Sequence, residues 1–282
     1  LAVSLFSGSD VSLIYDSLES SGQSKAPIKI MGKRVFFMQL GEAVGGLLGG
    51  WLVLLSINAA VIGQSIVAWL PLIPMLFITE PARLKMNKVK HVDNFKYIFE
   101  SLTRHSKLLN YILLTSIFYG VATLLAVWSF QKYWKELGVP LYYFGYLWAA
   151  INLTVAVFGR YSHKLEKHWG SSKIVFLIGA LPVIGYLGMG LSYWLGGIIF
   201  CFCFQIARSL NSVILGDALN KRVTSDMRAT ANSITSLGVR ALFILLGPLM
   251  GYIIDSQGIH QSYIYLGVIY IMGFAFIIIP FL

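Results

Sequence analysis

Asp10, Glu42, Arg208 and Arg240 are ionisable residues set inside long apolar runs. A charge at the centre of a bilayer costs about 2.5–3.5 kcal/mol on insertion scales, so each is a candidate for handling substrate or protons. Arg208 belongs to a polar stripe. Gln205, Arg208, Ser209 and Ser212 recur at i, i+3, i+4 and i+7, one face of a helix, with Asn211 in the same run. Asn232, Ser236 and Arg240 form a second stripe at i, i+4 and i+8. Glu42 shares a face with Gln39, Gly46 and Gly49, where a carboxyl could carry a proton across the membrane; close helix packing is the competing use of that face. Arg240 reads as a tie between the inner ends of helices. Trp128 and Gln131 stand near the end of one apolar run and Asn152 in the middle of the next. They could line a cavity, although tryptophan at a membrane interface has an ordinary role as a belt residue.

Catalytic chemistry has nothing to work with. No H-E-x-x-H, G-x-S-x-G, phosphate loop or G-x-G-x-x-G occurs. Cys201 and Cys203, two apart on one helix, point to different faces and imply neither a disulfide nor a metal site. An enzyme is not expected, nor a cofactor.

The elements that must position these residues are set by composition. The chain is 57% hydrophobic and 12% charged, with mean hydropathy +0.72, which cannot make a water-soluble surface. Nine runs reach the roughly 20 residues a spanning helix needs: 1–18, 33–55, 57–78, 109–130, 141–160, 172–191, 193–219, 229–254 and 260–282. Eighteen Lys and Arg fall in alternate loops and only Lys132 and Lys135 in the others, so the basic loops are expected in the cytoplasm. That topology, with anionic lipid as a neighbour, accounts for the net charge of +10 without nucleic acid.

A repeat is visible. One run ends Tyr15-Asp16-Ser17-Leu18 and another Gly216-Asp217-Ala218-Leu219, 201 positions on. The following runs carry Gly45-Gly46-Leu47-Leu48-Gly49 and Gly247-Pro248-Leu249-Met250-Gly251, 202 apart. Two matches at nearly one offset suggest a duplicated unit. On this reading residues 1–80 are a partial first half, 81–108 a linker loop and 109–282 a complete six-helix half. Roughly 90 residues, or three helices, would precede Leu1.

This layout resembles the major facilitator superfamily. Ser7-Gly8-Ser9-Asp10 with Tyr15-Asp16-Ser17-Leu18 is similar to the fourth helix of its small-molecule efflux permeases. Gly32, Gly41, Gly45, Gly49 and Gly50 match the glycines of their antiporter motif, with Gly46 where the proline belongs. Gly238, Gly247, Pro248 and Gly251 repeat part of it, and Arg228-Ala229-Thr230, Trp128, Gln131 and Gly145 also resemble the permease pattern. The resemblance implies an all-α polytopic membrane protein with nine of the twelve transmembrane helices of that fold, its first three lacking. It implies a plasma-membrane secondary transporter, in bacteria an inner-membrane one, working as a monomer by alternating access. Proton-coupled efflux of a small molecule is the leading reading. A proton-coupled symporter for a sugar or other metabolite is the second, and a non-transporting scaffold a third of another class. Asp10 and Arg208 would face a central cavity from opposite halves. The glycines would set helix packing, and Asp16 and Asp217 would latch the cytoplasmic gate or simply end solvated helices.

Overall fold

In hydrocarbon every backbone N–H and C=O must be bonded within its own segment or to a covered neighbour, so apolar runs of this length fold as helices. The computed structural model describes residues 11–18, 27–77 and 107–282, and among them every regular element is helical. In order these are α1 (11–18), α2 (Pro27–Leu55), α3 (Ile57–Met75), α4 (Lys107–Glu136), α5 (Phe144–Trp169), α6 (Ser171–Leu191), α7 (Leu195–Asn220), α8 (Ser225–Gln257) and α9 (Ile259–Phe281). Asp10, the start of the first expected span and nearly all of the 81–108 loop lie outside the described residues.

Several helices outrun the apolar stretches that announced them. Pro27 opens α2, where its missing N–H costs nothing in a first turn, so Lys33 and Arg34 sit on the helix rather than in the loop before it. At the far ends α4 runs on to Glu136 and α5 to Trp169. The hydrogen-bond ladder does not stop at the edge of the hydrocarbon, and long basic side chains reach water from there. Gly170 and Gly258 join α5 to α6 and α8 to α9 through single residues at φ 83° and 89°. A side chain at either would be strained, since only glycine adopts that conformation freely.

The last six helices share one aromatic core. Tyr119, Phe130, Tyr133, Trp134, Tyr186, Phe204, Tyr263 and Tyr270 are buried in it. Most of its phenols find a partner: Tyr186 donates to the Ala122 carbonyl at 2.6 Å, Tyr263 to Ser129 Oγ at 2.9 Å and Tyr133 to the Ser192 carbonyl at 3.2 Å. A phenol is tolerated in such a core when its hydroxyl is satisfied. Tyr133 and Trp134 are therefore core residues and not part of an interfacial belt.

The first three helices join the other six mainly through α2 and α5. A Cβ on Gly32 would lie 2.5 Å from the Gly159 carbonyl oxygen, and one on Gly145 would lie 3.3 Å from that of Gly46. Backbones touch at both places, so the two helices run together over much of their length. Gly50 also approaches Gly145, whereas a Cβ on Gly41, Gly45 or Gly49 would meet nothing within 4 Å. The expected packing role of those three glycines is not realised among the described residues. Residues spaced by four share one side of a helix, and that side of α2 faces away from α5.

Candidate functional site

A cavity of about 470 Å³ opens between α1, α2, α4, α7 and α8. Its walls follow from the two polar stripes. Asn232, Ser236 and Arg240 on α8 all face it, as do Arg208, Asn211 and Ser212 on α7. Polar side chains on a spanning helix turn toward an enclosed space because lipid offers them no partner. The α7 stripe is not kept whole. Gln205 is fully buried with neither amide atom hydrogen-bonded among the described residues, and Ser209 donates to the Val155 carbonyl on α5 at 3.0 Å. A wider turn at Asn211–Leu215 moves the next residues round the axis, which brings Asn211, Gly216 and Leu219 onto the cavity wall with Arg208.

Three arginines line this space, Arg34, Arg208 and Arg240, and no Asp or Glu among the described residues does. Arg240 was expected to tie helix ends together; it faces the cavity instead, its Nε buried without a hydrogen-bond partner among the described residues. The reason is its register: the residues four and eight before it, Ser236 and Asn232, set the same face. Arg34 is a cavity residue that the sequence pattern does not single out. The signal that would have found it is Pro27, which places it two turns inside α2. Glu42 on α2 is exposed and does not line the cavity.

One end of the cavity is closed by contacts between α1 and the ends of α7 and α8. Tyr15 donates to Asp217 Oδ1 at 2.8 Å. Arg228 lies 3.3 Å from Asp16 Oδ1, both side chains largely buried, and stacks over the Tyr15 ring at 5.4 Å. Ser12 donates to Asp16 at 3.1 Å, and Lys221 pairs with Asp217 at 2.6 Å. Behind them, Asn232 donates to Asn220 Oδ1 at 2.7 Å, and Arg228 Nε donates to the Asn220 carbonyl at 3.3 Å. Asn220 and Asn232 also line the cavity, so this network forms its floor. Tyr15, Asn220 and Asn232 were missed from sequence as members of it; a residue beside a helix-end aspartate gives no signal of its own.

Two other groups are placed apart from this space. Trp128 is 72% exposed and shares a second cavity of about 490 Å³ with Phe243, Gly247, Pro248 and Gly251 of α8. Gln131 is exposed on the same helix. Asn152 is buried on α5 and is not on the wall of the 470 Å³ cavity.

Comparison with protein families matches residues 23–248 to the family model described as Major Facilitator Superfamily. Comparison with curated proteins gave no match.

Proposed function

Because the chain belongs to the major facilitator superfamily, a family of secondary transporters, we propose that it carries a small molecule through the 470 Å³ cavity by proton-linked alternating access. The observation that carries this reading is a cavity walled from both sides of the α2–α5 contact and closed at one end by few, exchangeable polar contacts. Close backbone packing at Gly32–Gly159 and Gly46–Gly145 supplies a seam about which the two groups of helices can rock. Ion pairs and hydrogen bonds at the closed end can then break as a set while the seam holds. The excess of Lys and Arg in alternate loops supports a cytoplasmic position for that closed end, and we take the membrane to be the plasma membrane.

Glu42 supplies the proton link. Its carboxyl lies on a spanning helix, where a side chain that takes up and releases a proton can couple proton entry to transport. Co-transport follows where proton and cargo favour each other's binding. Export by exchange is the second reading, favoured by the glycine pattern from Gly32 to Gly50 that resembles the antiporter motif.

Spin labels at Ser17 and Arg222, both exposed at the closed end, test the motion by pulsed distance measurement in the full-length protein. Two distance populations are expected, with a ratio that changes with pH in the wild type and not in Glu42→Gln. One invariant distance under all conditions would remove alternating access at this end. Two populations insensitive to pH would leave the motion and remove Glu42 as the proton carrier.

A further inference from the structure

We propose that the cargo is an organic anion, its carboxylate or phosphate held between Arg208 and Arg240 and its apolar part against Leu124, Val127 and Val239. This deepens the transporter reading and rests on it.

The neutral polar residues on the cavity wall have largely spent their protons. Asn211 donates to the Ser116 carbonyl at 3.2 Å. Ser212 donates to the Ser209 carbonyl at 3.1 Å, Thr235 to the Ala231 carbonyl at 3.0 Å and Thr123 to the Gly120 carbonyl at 3.0 Å. Asn220 and Asn232 are bonded to one another. Besides the Ser116 and Ser236 hydroxyls, the donors left facing the space are those of the Arg208 and Arg240 guanidiniums. Neither Arg208 nor Arg240 makes a hydrogen bond or an ion pair with a described residue, and neither shares the wall with a carboxylate among the described residues.

Two guanidiniums facing one cavity repel one another more strongly than they would in bulk water. A cation there would add to the repulsion, and a neutral molecule would leave most of the N–H groups unmet. An anion meets both needs, and a planar carboxylate or a phosphate suits the fork of arginine through paired hydrogen bonds. The volume sets the size. At roughly 30 Å³ per water, 470 Å³ corresponds to about fifteen waters, room for a metabolite-sized molecule. Leu124, Val127 and Val239 supply an apolar patch on the same wall, so an amphipathic anion fits better than a small inorganic one.

Four probes that share one ring separate charge from shape: benzoate, phenyl phosphate, benzyl alcohol and benzyltrimethylammonium. Titrated calorimetrically into the purified full-length protein at low salt, benzoate or phenyl phosphate is expected to bind saturably. The neutral and cationic probes are expected not to. Arg208→Gln and Arg240→Gln should each weaken the anion at least tenfold. Arg208→Lys and Arg240→Lys should weaken it less, since they keep the charge and lose only the fork. Retention of the unliganded melting temperature in the Lys variants excludes simple misfolding. Preferred binding of the cation or the alcohol, or anion binding unchanged in Arg208→Gln/Arg240→Gln, would overturn the proposal. Saturable binding of the cation would leave the transporter reading standing without this one. Anion binding with one invariant Ser17–Arg222 distance would leave an anion site and remove alternating access at this end.

Discussion

Tyr15 and Asp217, 202 positions apart in the chain, are joined by a 2.8 Å hydrogen bond, and the next residue after Tyr15, Asp16, crosses the same gap to Arg228. The aspartates recognised at a 201-residue spacing in the sequence thus face one another's half of the molecule at the closed end of the cavity. Neither contact lies on the long α2–α5 seam. They can open without unpacking it, which is what a gate requires.

Neutralising Arg228 tests the gate directly. A hydrogen bond to a charged group, largely buried, contributes about 1.5–3 kcal/mol, roughly a ten- to hundredfold change in the closed-to-open ratio. Arg228→Gln, made with Cys201 and Cys203 replaced by Ala, should speed alkylation of a cysteine placed at Ser116 on the cavity wall. The reagent would be applied from the basic side. The charge swap Asp16→Arg with Arg228→Asp should slow it again. Equal alkylation rates in wild type and Arg228→Gln would show that the end is held shut by something else.

The α2–α5 seam predicts a contrast between two glycines of one helix. Gly32→Ala drives a methyl against the Gly159 carbonyl, backbone that cannot rotate away. Overpacking of this kind costs about 1–3 kcal/mol. Gly49→Ala places its methyl in open space among the described residues and should leave stability unchanged. Melting temperatures of the two variants in detergent decide it. If Gly49→Ala is as damaging as Gly32→Ala, the seam does not run as described.

Spans and their alternation were legible in the sequence because a bilayer imposes its own thickness on any chain. The run 141–160 became α5 (Phe144–Trp169) and 172–191 became α6 (Ser171–Leu191). Helix ends were less legible, since Lys29 and Lys164 lie on helices beyond the apolar runs, where hydropathy falls but hydrogen bonding does not. The cavity was half legible. Periodicity placed Arg208 with Ser212 and Arg240 with Asn232, but not the direction in which each stripe looks. Gln205 shows why: it shares a helical face with Arg208 in the sequence, yet is sealed inside the protein. Which neighbour covers a residue is a tertiary fact, and the wider turn at Asn211–Leu215 leaves no reliable mark in one sequence.

Inside the aromatic core, Tyr186→Phe removes a fully buried hydroxyl and leaves the Ala122 carbonyl without its 2.6 Å donor. A loss of about 0.5–1.5 kcal/mol follows, the net worth of one hydrogen bond, since the carbonyl keeps its helical N–H donor. Anion binding should be untouched, because neither Tyr186 nor Ala122 lines the cavity. Thermal unfolding and the benzoate titration on the same variant check both halves; weakened binding at unchanged stability would contradict the assignment.

Lys132 and Asp255 form the counterpart that should not matter. Their 2.8 Å ion pair links α4 to α8 near the end opposite Asp16 and Arg228, but the two side chains are 50% and 79% exposed. Solvent and salt screen such a pair, and the ordering of two long side chains offsets part of what remains, so its worth is about 0–1 kcal/mol. Asp255→Asn should therefore leave the melting temperature and the cavity alkylation rate close to wild type in 150 mM salt. Arg228→Gln, carrying the same loss of one charge at a largely buried site, should change the second of these at least tenfold. Comparable effects from both substitutions would mean that burial is not what distinguishes the two ends, and that the closed end owes its closure to something other than the Asp16–Arg228 and Tyr15–Asp217 contacts.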